Sequence, residues 1–229
     1  MNKILQEFIN EANSNQWEPS WPVPTNLWGS DWPWLPVEFD ANFNGMLKEC
    51  INNDHLFVGH RQLDKHLSYN HEGWAALTLH GIAADKTEHW PQYGFKSKEE
   101  ANYKWTDVCD KFPTCVAFLK SLNFKNLDRV RIMKLSAGGY IMPHVDGPGR
   151  IFGPLNIAIN NPKGCDFYFR DWGKVPFRQG IGNFLDIGNE HIVWNNSKED
   201  RYHFIVHGEI DYELIARAVS KLRQKYERY

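Results

Sequence analysis

The stretch YIMPHVDGPGR, residues 140–150, sets a His and an Asp two apart, after an apolar run and before a Gly/Pro-rich turn. Alternate residues of a β-strand point to the same side. With 140–146 read as a strand, His144 and Asp146 face together and Val145 faces away. Gly147, Pro148 and Gly149 then put the pair at a strand mouth. His191, at the start of another predicted strand in DIGNEHIVWNN, is the candidate for a third ligand. Two imidazoles and one carboxylate on one face of an octahedron leave three positions open. That arrangement suits a non-haem Fe(II) that must bind a co-substrate and O2 together.

The next stretch, HIVWNNSKEDRYHFIVHG, reads as a hairpin of strands 191–195 and 201–207 around the polar loop 196–200. With Asn195 opposite Arg201, His191 opposes Ile205, and His191, Arg201 and His203 share a face. Arg201 then stands four residues from the level of His191, roughly 13 Å at ~3.3 Å per residue. An Arg side chain reaches part of that distance, and a small dicarboxylate between metal and guanidinium would fill the rest. The planar fork of Arg suits such a role because it grips a carboxylate with two charge-assisted bonds.

His144-Val145-Asp146, His191, and Arg201 ten residues beyond it resemble the pattern of the 2-oxoglutarate/Fe(II) dioxygenases. The closer similarity is to the aspartyl/asparaginyl β-hydroxylase-like branch, which also includes free-proline hydroxylases. The stretches that carry it are RVRIMKLSAGGYIMPHVD, LNIAINNPKGCDFYF and FLDIGNEHIVWNNSKEDRYHFIVHG, with GWAALTLHG upstream. It covers residues 128–208 well and 73–125 loosely, and it leaves out the first 70 residues and the final helix.

The resemblance implies an α+β chain with a double-stranded β-helix (jelly-roll, cupin-like) core and flanking helices. It implies Fe(II) held by His144, Asp146 and His191, with Arg201 binding the far carboxylate of the co-substrate 2-oxoglutarate. The implied activity is hydroxylation by O2 of an amino acid, free or within a peptide or protein, of aspartyl/asparaginyl or prolyl type. The group often has an Arg-x-His pair opening the strand after the first metal ligands, whereas Pro154 and Asn156 stand here. Asn156 is then a weaker donor to the co-substrate, and Arg150, slightly upstream, a candidate for substrate recognition. His203 is read equally as a co-substrate ligand or as a packed residue.

Plainer readings stand beside these. Taken alone, His144 and Asp146 read first as a polar pair at a strand end, and only His191 and Arg201 turn the balance toward a metal site. A cupin-like binding module without turnover, or a zinc hydrolase using the same ligands and a general base, would use the same pattern. Arg129 and Arg131 read as solvated charge flanking a strand, and His80 as a satisfied core or turn histidine. Trp194 alternates away from the metal and reads as core.

The elements that must position these residues follow from the rest of the chain. The spacing of Ile4, Leu5, Phe8 and Ile9 predicts a short amphipathic helix. Five prolines and five tryptophans in residues 17–36 predict an ordered extended segment, packed on the domain, without a regular helix or central strand. Helical texture is read at 38–51, a strand at 73–81, and a mainly helical region at 98–123 broken at Pro113. From 128 to about 210, short β-rich runs alternate with Gly, Pro, Asn and Asp, the cadence of a sandwich or barrel. An amphipathic helix closes the chain. One domain over residues 1–229 is expected: an extension at 1–70, a β core at 73–208 and a helix at 210–229.

With 26 basic and 28 acidic residues the net charge is −2, so no global field draws the chain to nucleic acid or a membrane. Cys50, Cys109, Cys115 and Cys165 include no CxxC pair and read as reduced thiols. The N-terminus has no apolar run of signal-peptide length, and a cytoplasmic protein is expected. The oligomeric state is open.

Overall fold

The structure, a computed structural model, describes residues 3–15, 17, 32–62, 67–122, 124–146, 152–210 and 212–226. In chain order its elements begin with α1 (Lys3–Ser14), β1 (Trp34–Glu38), α2 (Phe43–Asn52), β2 (Val58–Gly59) and β3 (His71–Gly81). Then come α3 (Lys98–Ala101), β4 (Lys104–Trp105), α4 (Pro113–Ser121), β5 (Phe124–His144), β6 (Phe152–Ala158) and β7 (Cys165–Phe169). The last are β8 (Gly173–Lys174), β9 (Ile181–Asp186), β10 (His191–Asn195), β11 (Arg201–Ile210) and α5 (Tyr212–Tyr226). Among the described residues the strands form one antiparallel sheet with the path β1-β9-β6-β11-β5-β10-β7-β8. β3 lies along β5 and carries β2 and β4.

The 21-residue β5 divides this sheet into two layers. Its first part, to Leu135, pairs with β11, and its last part, from Tyr140, pairs with β10. Gly138, at φ +78, and Gly139 lie between them. A Cβ on Gly139 would sit 2.8 Å from the carbonyl oxygen of Glu72, so the close approach of β3 requires glycine there. One layer is therefore β1-β9-β6-β11 with the start of β5, and the other is the end of β5 with β10-β7-β8. From β5 onward the chain feeds the two layers in turn, which makes the core a double-stranded β-helix.

Each layer is apolar on its outer face because helices cover it. Val130, Ile132, Leu155, Ile157, Phe184, Tyr202, Phe204 and Val206 pack outward in one cluster with Met46 and Cys50 of α2, Cys115 and Leu119 of α4, and Leu214 of α5. On the other layer Met142, Tyr168 and Ile192 pack against Leu5, Phe8, Ile9 and Ala12 of α1. Arg170 fastens α1 by ion pairs to Glu11 and Glu190. With the outer faces covered, the alternate side chains of every strand point between the layers, where polar residues can meet away from bulk water.

Several sequence expectations change. The hairpin of 191–195 and 201–207 is absent: β10 pairs with β5 and β7, β11 with β5 and β6, and the two lie in opposite layers. Alternation within each strand survives this, but the register of His191 against Ile205 and the 13 Å spacing drawn from it do not.

Residues 98–123 are mainly helical, in short pieces rather than in two long runs. They hold α3, β4, a 3-10 turn at Asp107–Lys111, and α4, which begins at Pro113. A proline fits the first helical turn, where its missing N–H has no partner to lose, so Pro113 starts a helix instead of breaking one. The helical texture at 38–51 becomes α2 from Phe43, because Glu38 belongs to β1. β1 is the edge strand beside β9, a position that tolerates Pro36. Of the Trp/Pro-rich segment, Trp17 packs edge-on against Trp32 and Trp34, while residues 18–31 lie outside the described residues. No helix among the described residues is long and apolar enough to cross a membrane.

Candidate metal centre and cavity

His144 ends β5 and pairs directly with His191, which opens β10. The ladder carries a bulge here: three residues separate Ile141 from His144 on β5, against two between His191 and Val193 on β10. Strict alternation from Ile141 would have turned Val145 inward and His144 outward. The bulge, at Pro143, reverses this and leaves Val145 exposed. Bulges re-aim side chains in this way beside functional sites. Asp146 lies just beyond the strand, held by its N–H donating to the carbonyl of Ile187 at 3.0 Å.

The ligand atoms of His144, Asp146 and His191 all lie within 4.8 Å of one another. Asp146 Oδ1 is 3.8 Å from His144 Nε2, and its Oδ2 is 4.0 Å from His191 Nε2. Each imidazole donates its Nδ1–H to a backbone carbonyl, His144 to Met142 and His191 to Asn189, both at 2.8 Å. Those bonds fix the tautomer and present two Nε2 lone pairs to the carboxylate. Tyr69 stacks on His144 and Phe167 on His191, with centroids 4.0 and 5.1 Å apart. Burial holds both histidines neutral: it lowers the His144 pKa against the pull of Asp146, and takes that of His191 down to about 4. Two neutral imidazoles and one carboxylate converging in a water-poor site fit a divalent transition-metal ion.

The triad opens into a cavity of about 290 Å3 between the layers. Arg201, at 3 % exposure, enters it from the start of β11, opposite Leu135. Its Nε donates to Asn161 Oδ1 at 3.1 Å and its guanidinium lies over the Phe177 ring, 4.9 Å from the centroid. Among the described residues no carboxylate lies within ion-pair distance of it; its direct contacts are neutral, and Asp166 acts on it only from further away. His203, two residues along on the same face, is buried and lines the cavity, and its Nδ1 has no partner among the described residues. Burial, with Arg201 and Arg131 adding, keeps it neutral. Asn156 also lines the cavity, its Nδ2 donating back to Pro154 O at 3.1 Å. Arg150 lies outside the described residues.

The reading of Arg129 and Arg131 as solvated strand charge is corrected. Arg131 is 5 % exposed, and both face the cavity from β5 because the outer face of that strand is taken by Val130 and Ile132. Nearby are His60, Arg61 and His207, which the sequence did not single out. A signal existed: in RYHFIVH the odd positions are Arg201, His203, Ile205 and His207, while the even ones are all bulky and apolar. His80 is satisfied as expected, its Nδ1 at 2.5 Å from Asp128 O, and Trp194 packs with the cluster under α1.

A family model described as Aspartyl/Asparaginyl beta-hydroxylase matches residues 60–209, a span that contains the triad, Arg131 and Arg201. No curated protein sequence matches the chain. Among solved structures, one similar chain is a Trichoplax adhaerens prolyl hydroxylase in complex with a hypoxia inducible factor oxygen degradation domain peptide fragment. It is 14 % identical, covers 94 % of this chain and 96 % of its own, and gives a TM-score of 0.45. A Pseudomonas putida prolyl-4-hydroxylase is 12 % identical over 78 % of this chain and 93 % of its own, with a TM-score of 0.44.

Proposed function

The chain belongs to the aspartyl/asparaginyl beta-hydroxylase family, a family of Fe(II)- and 2-oxoglutarate-dependent dioxygenases, and from that premise we propose that His144, Asp146 and His191 hold its iron and that it hydroxylates an amino acid. The observation that carries the assignment is the convergence of two tautomer-fixed imidazoles and one carboxylate within 4.8 Å, at the wall of a cavity that also receives the buried Arg201, which no described carboxylate pairs with. When bound, iron and 2-oxoglutarate would supply the oxidative chemistry with O2 as the oxidant: one oxygen atom goes into succinate as the co-substrate loses CO2, and the other turns a C–H bond into C–OH.

The chain's own part is positional. Met142 O and Asn189 O keep the imidazole protons off Nε2. Tyr69 and Phe167 hold the rings in plane and shield them from water. Arg201 would hold the far carboxylate of 2-oxoglutarate, its guanidinium plane fixed by Phe177 and Asn161. Pro154 and Asn156, where the family often has Arg-x-His, leave Arg201 as the charged anchor at that end. A hydrolase with the same ligands would need a general base near the metal. Asp146, itself in the triad, is the sole carboxylate among the described residues lining the cavity.

Anaerobic titration of the protein with Fe(II) and then 2-oxoglutarate tests this through the visible metal-to-ligand charge-transfer band. The band is expected in the wild type and absent in His144→Ala. In Arg201→Ala it is expected only at co-substrate concentrations raised at least about 30-fold, the equivalent of ~2 kcal/mol for truncating a buried charge partner. Folded, iron-loaded wild type without the band would sink the assignment.

A further inference from the structure

The cavity holds more positive charge than its proposed contents require. Arg61, Arg129, Arg131 and Arg201 line it, and among the described residues Asp146 is the one carboxylate that does. A divalent metal and the 2-oxoglutarate dianion neutralise each other and leave that imbalance in place. One arginine, Arg201, is matched to the co-substrate. Of the other three, Arg131 lies beyond His203 along β11, opposite Ile205, and Arg129 stands two residues further along β5.

Arg131 is the centre of this second group. It is 5 % exposed and sits opposite Ile205, four residues along β11 from Arg201. Its Nη1 donates to Thr87 O at 2.9 Å and to His60 Nε2 at 3.1 Å, and its Nη2 meets His207 Nε2 at 3.3 Å. The Nε of Arg131 has no partner among the described residues. His60 is itself fixed by Thr87 Oγ1 at 3.0 Å from its Nδ1, so its Nε2 serves as the acceptor and the ring is neutral. Arg131 is thus oriented wholly by neutral groups, and no carboxylate among the described residues pairs with it or with Arg129. A buried guanidinium without an anion is costly, and its neighbours have no means of discharging it. Arg61 joins this group to the metal side, its Nη2 4.0 Å from Asp146 Oδ1.

Resting on the dioxygenase reading above, we infer that Arg131, with Arg129 and Arg61, binds the carboxylate of the substrate, and that this substrate is a free acid of amino-acid size. The location follows from the two poles: co-substrate carboxylate at Arg201, substrate carboxylate at Arg131, and the triad facing both across the cavity. The size follows from the volume. About 290 Å3 is at the low end of small-molecule sites, and the co-substrate takes part of it. The anion-binding pocket lies between the layers, where a side chain of an intact protein would have to bring its backbone along.

The test is calorimetric titration of protein loaded with Mn(II), a redox-inert stand-in for Fe(II), and 2-oxoglutarate, against the free L-amino acids and their primary amides. At least one free acid is expected to bind, with its amide bound at least ten-fold more weakly. Arg131→Gln is expected to weaken that acid at least about 30-fold while changing 2-oxoglutarate affinity less than about three-fold, and Arg201→Gln is expected to do the reverse to the co-substrate. Arg129→Gln, on a partly buried side chain, gives the same pattern in milder form and serves if Arg131→Gln does not fold. Binding of amides as tightly as acids, no binding by any free acid, or co-substrate affinity lost in Arg131→Gln but kept in Arg201→Gln would each overturn the inference. Failure of 2-oxoglutarate to bind the wild type at all would instead overturn the dioxygenase reading.

Discussion

At the scale of single residues, the site depends on keeping imidazoles neutral beside buried cations. His144 and His191 reach that state through carbonyl acceptors and burial. His60, at 2 % exposure, reaches it by burial first and by the adjacent Arg131, Arg61 and Arg129 second, which together hold its pKa well below the ordinary value. The sign of the consequence is fixed. Below about pH 6.5 the unfolded chain binds a proton at this histidine that the folded chain refuses, so stability is full above that pH and is lost as pH falls toward the folded-state value. Each such histidine contributes about 1.4 kcal/mol per pH unit in that window. Urea melts of the metal-free protein between pH 7.5 and 5.5 (roughly one unit to either side of the ordinary histidine pKa) should show a slope shallower by about that amount in His60→Asn. An unchanged slope would mean that His60 is charged in the folded protein.

At the scale of elements, local sequence signals succeeded where one strand or helix decided the outcome. The alternation in β11 places Arg201 and His203 together without reference to any partner strand. The same logic fails for Arg129 and Arg131, because polar residues on a strand are expected to face water and here the inward face is a cavity. Pro113 shows a related effect. A proline inside helical texture predicts a break, yet α4 starts there because Glu49 of α2 supplies what the helix end lacks: Oε1 accepts from Thr114 N at 2.7 Å and Oε2 from Cys115 N at 3.0 Å. This carboxylate satisfies two orphan donors and also meets the positive end of the helix. Glu49→Ala is expected to cost about 1–2 kcal/mol in denaturant melts, with 2-oxoglutarate affinity unchanged because α4 packs on the outer face. A loss below ~0.5 kcal/mol would show that water replaces the cap.

At the scale of the whole molecule, the site exists because both layers are covered from outside. α1 lies over Met142 and Ile192, the residues next to the metal-ligand strands' ends, with Phe8 fully buried between helix and sheet. Phe8→Ala should destabilise by about 3–5 kcal/mol and also weaken Fe(II) binding, although Phe8 touches none of the ligands. Thermal melts read beside metal titration check this, and metal affinity equal to wild type would mean the layer is rigid without its cover. What the sequence by itself determined was the chemistry: the two histidines, the aspartate and the arginine at their spacing, the alternation that gives each strand two faces, and the double-stranded β-helix by resemblance. Tertiary structure alone decided which strands are partners, since β10 and β11 are neighbours in sequence but lie in opposite layers, joined through β5. It also decided that a bulge at Pro143 turns His144 inward, and that Arg131 faces a cavity instead of water. The physical reason is the same in each case. A strand's pattern tells which residues share a face, but what that face meets depends on segments far away in the chain.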